Sequence, residues 1–309
     1  MTDTATTRFN ILCLDGGGAK GFYTLGFLRE LEAALGIPLA SQFQAIYGTS
    51  TGAIIASLLG LGKSAVEALK LYTENVPSIL GSKGAANKSA ELKRVADKLY
   101  EAFQWSDFKT RIGIVATNWT REKPLIFKNW DDATYGMKAT FMPGFGCTVS
   151  DAVRASCSAT PFFEPCELNL KNDGKIEARD GGFCANNPSL FAVSDALNPI
   201  GIAPSNIRLL TLGVGHYPEP KRNWFQRKIQ KLAPVHILQK TLNISANTTE
   251  IQTKLLLPQV PHMRVSDRFE SPELAMDFLE SNLSRLNLLI QKGRESFSAR
   301  ETAINTFFK

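Results

Sequence analysis

The chain lacks several things, and each absence excludes something. No stretch approaches about 18 uninterrupted apolar residues, which argues against a membrane-spanning helix. The first ten residues, MTDTATTRFN, have no charged head followed by an apolar run, so no secretory leader is expected. Cysteine is scarce and unpatterned. Cys13, Cys147, Cys157, Cys166 and Cys184 are odd in number and contain no C-x-x-C, so buried thiols in a reducing compartment are expected, not a disulfide framework. Only three histidines occur and none pairs with another at ligand spacing, so no metal site is expected. Internal repeats, low-complexity tracts and a Gly-, Ser- or Pro-rich linker are also missing. What remains is 44% hydrophobic and 21% charged, an ordinary globular composition.

With 309 residues the chain can form one large α/β domain or a core with an accessory helical region. Phe9 to Leu14 and Ile207 to Leu212 are short apolar runs ending in glycines, the pattern of buried strands. Further strands are expected at Phe43 to Tyr47, Arg111 to Thr117, Pro124 to Phe127, Glu167 to Leu170 and Ile176 to Ala178. Between them lie helical patterns, beginning with Gly21 to Ala34, where Phe22, Leu25, Leu28 and Leu31 recur every third residue. Strands alternating with helices predict a three-layer α/β/α sandwich on a mainly parallel sheet. Residues 9–215 are expected to form the core, and 216–309 a mainly helical extension packed on the same domain.

Three glycine turns carry chemistry. The first is Asp15-Gly16-Gly17-Gly18-Ala19-Lys20-Gly21, between a strand and a helix. Glycines there let the backbone turn tightly and expose N–H groups, and a helix N-terminus attracts negative charge. Gly16, Gly18 and Gly21 also fit G-x-G-x-x-G, but a dinucleotide fold needs an acid at the end of the next strand, and that strand ends Tyr47-Gly48-Thr49-Ser50. The second turn is Gly48-Thr49-Ser50-Thr51-Gly52. It fits the G-x-S-x-G elbow, in which the serine stands exposed between a strand and a helix. The third, Asp180-Gly181-Gly182, puts a carboxylate on a turn after a short strand. Alone, each has a bland reading as a glycine turn or a self-capping aspartate. Together they supply an anion-binding loop, a nucleophile and a base, the parts of an acyl hydrolase.

In this order and at this spacing the motifs resemble the patatin-like phospholipases of bacterial type. That family shows DGGGxRG, then GxSxG, then DGG or DGA. Ala155 to Phe163 (ASCSATPFF) resembles its A-x-P-x-F-like segment, and the resemblance covers roughly Phe9 to Gly215. It implies a lipid acyl hydrolase with a Ser50–Asp180 dyad. Gly16, Gly17 and Gly18 would form the oxyanion hole, and Lys20, Gly21, Gly48, Gly52, Gly181 and Gly182 would support the motifs. No cofactor is implied. Lys20 stands where the family usually has arginine, which keeps the charge but loses the planar fork. A Ser–Asp–His triad using His216, in the chain order Ser50, Asp180, His216, is the rival mechanism. A catalytically silent lipid-binding module of the same fold is the non-enzymatic reading.

The partners expected are a membrane phospholipid, met by peripheral contact only, and for some members of the family a cyclic-nucleotide activator linked to antiphage signalling. DNA and RNA are not expected, and an oligomer is left open. The protein is expected in the cytoplasm, touching the inner face of the membrane transiently. Lys221, Arg222, Arg227, Lys228, Lys231 and Lys240 carry much of the net charge of +6, with no acid between Glu219 and Glu250. Interleaved with Trp224 and Phe225, they suit an anionic membrane surface, a nucleotide ligand or a solvated helix face.

Overall fold

Strand β1, Phe9–Leu14, is buried along its whole length, and its side chains divide by parity. Leu12 and Leu14 enter one hydrophobic cluster, while Phe9, Ile11 and Cys13 enter another. The same division recurs in β2 (Ala45–Thr49) and in β7 (Ile207–Leu212), which flank β1 in parallel. Strands buried on both faces need helices on both sides, so the sheet is the middle layer of three.

The computed structural model describes residues 8–131, 140–218 and 233–308. Most of the basic stretch noted above therefore lies outside the described residues; of its six cations only Lys240 lies within them. Among the described residues the sheet has eight strands. Its main path runs β5 (Cys166–Leu170), β6 (Gly174–Asp180), β3 (Arg111–Asn118), β2, β1, β7, β8 (His262–Val265), and β4 (Lys123–Lys128) pairs with β3 off that path. The pairings among β3, β2, β1, β7 and β8 are parallel, and those of β4, β5 and β6 are antiparallel. The mainly parallel α/β sandwich expected from the sequence is thus the fold observed. β8 is the element the sequence pattern did not suggest: it returns from the C-terminal third to extend the sheet beside β7.

Helix α1, Gly21–Leu35, runs through the larger core, and α10, Leu283–Ser298, crosses it closely. A Cβ on Gly26 would sit 2.2 Å from the Ile290 carbonyl oxygen, and one on Gly293 would sit 2.0 Å from that of Tyr23. Glycine on both helices is what permits the crossing. Tyr23 then donates to Ser296 Oγ at 2.8 Å.

Two features of this frame position the site. The turns after β1, β2 and β7 lie at the C-terminal edge of the parallel strands, where ligands bind in open α/β sheets. Strand register does the rest. β3 pairs with β4 along one edge, from Gly113 to Asn118. On its other edge Val115 pairs with Thr49 of β2, and the next residue, Ala116, pairs with Asp180 of β6. β2 and β6 therefore meet end to end along one side of β3.

Candidate active site

Ser50 follows β2 directly and is the N-cap residue of α3, Thr51–Gly60. Its backbone is strained, with φ 54° and ψ −121°. A non-glycine residue held there costs on the order of 1–3 kcal/mol and persists only where its surroundings enforce it. The surroundings do so. A Cβ on Gly48 would meet the Gly52 carbonyl oxygen at 2.2 Å, and one on Gly52 would meet that of Leu14 at 2.2 Å, so the elbow closes only with glycine on both sides. The Ser50 N–H donates to Ser156 Oγ at 2.8 Å, and Ser156 donates in turn to the Val115 carbonyl at 2.5 Å.

Asp180 ends β6 beside this turn. One carboxylate oxygen, Oδ1, accepts the Gly182 N–H at 2.7 Å. The other, Oδ2, is buried and receives no well-formed hydrogen bond among the described residues. Burial is the dominant influence on this carboxyl and pushes it up to about 7, against the opposing pull of the nearby Ser50 hydroxyl and the Gly182 amide. A carboxyl in that range is a far better proton acceptor at neutral pH than a solvated aspartate. Ser50 is 6% exposed and Asp180 3%. The Cys157 thiol, also buried, is affected by both, and burial raises it well above its ordinary range.

The glycine loop lies against the elbow: a Cβ on Gly16 would come within 3.2 Å of Ser50 Cβ. Its carbonyls are held. Gly16 O accepts from Asn186 Nδ2 at 3.2 Å, Gly17 O from the Lys20 N–H at 3.2 Å, and Gly18 O from Thr51 Oγ1 at 2.7 Å and the Tyr72 hydroxyl at 3.0 Å. Of the three loop amides, Gly16 N–H donates to the Asn186 carbonyl at 3.2 Å. No partner for the Gly17 or Gly18 N–H is found among the described residues. Gly18 has φ 57°, the left-handed region that favours glycine. Asp15 anchors the start of the loop through a two-pronged pair with Arg264 of β8.

Lys20, expected to supply charge at the loop, is buried. Its ammonium lies 5.6 Å from the centre of the Tyr217 ring, and desolvation lowers its pKa against the attraction of Asp277. The Gly21 position is filled from outside, since a Cβ there would meet Thr51 Cγ2 at 2.2 Å. Gly181 and Gly182 are similarly crowded, by the Val115 carbonyl oxygen at 2.1 Å and Leu242 Cδ2 at 2.6 Å. His216 makes no hydrogen bond to Ser50 or Asp180. Its imidazole is lowered first by burial and then by Arg268, Arg264 and Lys20. Among the described residues no group of three or more His, Cys, Asp or Glu could hold a metal ion.

Reading the sequence missed three contributors. Ser156 lies within the segment Ala155 to Phe163, but no pattern singled it out as the support of Ser50. Asn186 holds the loop from both sides, with its amide on Gly16 O and its carbonyl on Gly16 N–H, and nothing about an Asn-Asn-Pro turn signals that. The third is helix α9, Ala233–Leu256. Its Leu242, 7% exposed, packs over Gly182, and with Gln239 and Asn243 it lines a narrow crevice against Gly16, Gly17, Lys20, Val214 and Phe278.

Residues 12–193 match the family model described as patatin-like phospholipase. The chain belongs to that family. It is 48% identical over 297 residues to a cUMP-AMP-activated phospholipase of Escherichia coli, covering 96% of this chain and 93% of that protein. A cGAMP-activated phospholipase of Pseudomonas aeruginosa is 29% identical over 68% of this chain and 63% of its own length. The human calcium-independent phospholipase A2-gamma is 26% identical over 82% of this chain but only 34% of its own length. This patatin-like protein is accordingly a hydrolase acting on ester bonds.

Proposed function

We propose that this chain releases fatty acids from membrane phospholipids by a Ser50–Asp180 dyad. The observation that carries the reading is the end-to-end meeting of β2 and β6, which sets a strained elbow serine beside a buried carboxyl poised near neutrality. Ser50 Oγ attacks the acyl carbonyl carbon and Asp180 takes its proton. The tetrahedral intermediate places its oxyanion on the Gly17 and Gly18 N–H groups, aided by the positive end of α3. The intermediate collapses as the protonated Asp180 returns the proton to the departing alcohol. Asp180 then takes a proton from water, which attacks the acyl-serine, and returns that proton to Ser50 Oγ as the acid leaves. One oxyanion donor is worth on the order of 3 kcal/mol in comparable sites. The cation-rich setting of His216 gives the rival triad no support.

Activation by a cyclic dinucleotide is the regulatory half of the reading, and a role in antiviral defence would follow from it. It rests on the relative named as a cUMP-AMP-activated phospholipase, which matches nearly end to end. The test is fatty-acid release from phospholipid vesicles with and without cyclic UMP-AMP, beside labelling by a fluorophosphonate probe. Label and release both lost in Ser50→Ala support the dyad. Unchanged labelling in that variant rules it out, and equal rates with and without the nucleotide rule out the activation.

A further inference from the structure

Helix α9 is 24 residues long, and its inner face closes over the site through Gln239, Leu242 and Asn243. Its outer face is unusual for a surface. Ile237, Ile244, Ile251 and Leu255 recur at intervals of seven, seven and four, which places them along one stripe. They are 63%, 63%, 57% and 75% exposed. Between them the exposed uncharged positions are Thr241, Asn247, Thr248 and Gln252. The charges on this face are Lys240 and Lys254. Lys254 stays 59% exposed while pairing with Glu250, whose side chain turns inward at 12%. The sequence entering the helix adds five cations from Lys221 to Lys231 and no acid.

A second exposed apolar group lies next to the catalytic aspartate. Phe183, in α7 (Gly182–Ala185), and Trp119 are 39% and 43% exposed, with their rings edge to face at 5.4 Å. The Arg179 guanidinium lies 4.5 Å from the centre of the Trp119 ring. α7 packs against α9.

From these we infer that the outer face of α9, with the Trp119–Phe183 pair beside it, is the surface on which the protein docks to an anionic lipid bilayer. The inference rests on the phospholipase reading above. Branched aliphatics flanked by lysine suit an interfacial helix, whose apolar side sinks among the acyl chains while cations meet the headgroups. Tryptophan beside arginine suits the headgroup level. A second copy of this chain is the poorer occupant. Threonine would fill alternate positions of a helix–helix seam at Thr241 and Thr248, and the lysines at its margins would have no acid opposite. Docking here also brings the covered site to its substrate, because the same helix has one face on the lipid and the other on the glycine loop.

The experiment uses the full chain carrying Ser50→Ala, so that binding is read without hydrolysis and stands or falls separately from the dyad. Co-sedimentation is measured with vesicles of phosphatidylglycerol and phosphatidylethanolamine and with vesicles of phosphatidylcholine alone, each with and without cyclic UMP-AMP. Binding to the anionic vesicles is expected, falling at least tenfold on adding Ile244→Glu and Ile251→Glu and restored when leucine replaces both. Thermal unfolding and gel filtration confirm that the variants fold. Absence of binding under every condition overturns the inference. So does a glutamate variant that binds as tightly as its parent, whether or not its oligomeric state has changed.

Discussion

The two faces of α9 obey opposite rules. On the inner face Leu242 is 7% exposed and packs on Gly182 in the Asp180 turn. On the outer face Ile244, two positions along, is 63% exposed with nothing upon it. A helix that satisfied only the fold would carry polar groups on its outer side. On the docking proposal, burial on this helix follows two partners, one inside the chain and one outside it. Under the proposed function, the element packed over the Asp180 turn is also the one that would meet the substrate's phase. The inner face is tied further to the chemistry through Glu250, which lies 3.4 Å from Arg264 Nε, while Arg264 grips Asp15 at the head of the glycine loop.

The largest effect expected beneath the inner face is that of Asp180→Asn. Asparagine can still accept the Gly182 N–H but cannot take the proton of Ser50. kcat/KM on a short-chain ester should fall on the order of a thousandfold, within the range for losing a general base. In the parent, kcat/KM should rise with pH through about 7, the value to which burial lifts this carboxyl, because only the ionised form is a base. The stability effect has the opposite sign. A carboxyl held above its ordinary 3.8 stays neutral in the fold while the unfolded chain ionises, so its stabilising contribution is full below about 4 and lost as pH rises through about 7. Asp180→Asn escapes that loss. At pH 8 it should unfold at a higher temperature than the parent, with a ceiling on the order of 4 kcal/mol. A variant that is both inactive and less stable at pH 8 would contradict the burial of this charge.

Much of this region was legible before the structure, and the reasons are local. β1 and β7 declare themselves by apolar runs ending in glycine, and each of the three glycine turns is a short contiguous pattern. The joining of two of those turns was not legible. Asp180 reaches Ser50 because three residues of β6 pair with the last three of β3, just past the point where β2 ends. That register is set by two pairings, each between strands roughly sixty residues apart in the chain. Ser156 and Asn186 act as single polar side chains and leave no periodic trace. β8, His262–Val265, is four residues with two basic side chains, too short and too polar to stand out as a strand. The outer stripe of α9 was not read from the sequence, because which face it occupies required knowing where the glycine loop lies.

An intermediate effect should come from Leu242→Ala, which removes the side chain closing the inner face without touching the reacting groups. Loss of a buried leucine costs about 2–5 kcal/mol, so the unfolding temperature should drop by several degrees. Hydrolysis of a short-chain ester in the absence of any nucleotide should rise several-fold as the cover loosens over Gly16 and Gly17. If activity instead falls in step with stability, α9 is scaffold alone, and its two faces differ only in burial.

The smallest effect expected is that of His216→Ala, and it marks where the catalytic region ends. His216 follows the glycine turn after β7, and its backbone bridges to the segment around Arg268: its N–H donates to the Asp267 carbonyl, and its own carbonyl accepts from Phe269 N–H. Those bonds survive truncation to alanine. The side chain faces Arg268, Arg264 and Lys20, a setting that disfavours the imidazolium a triad must form in its transition state. kcat/KM should therefore stay within about twofold of the parent, since a side chain outside the proton path contributes only through packing. A loss rivalling that of Asp180→Asn would put the proton on histidine. The cations around it would then have to move before catalysis, and the covered site described here would be a resting form.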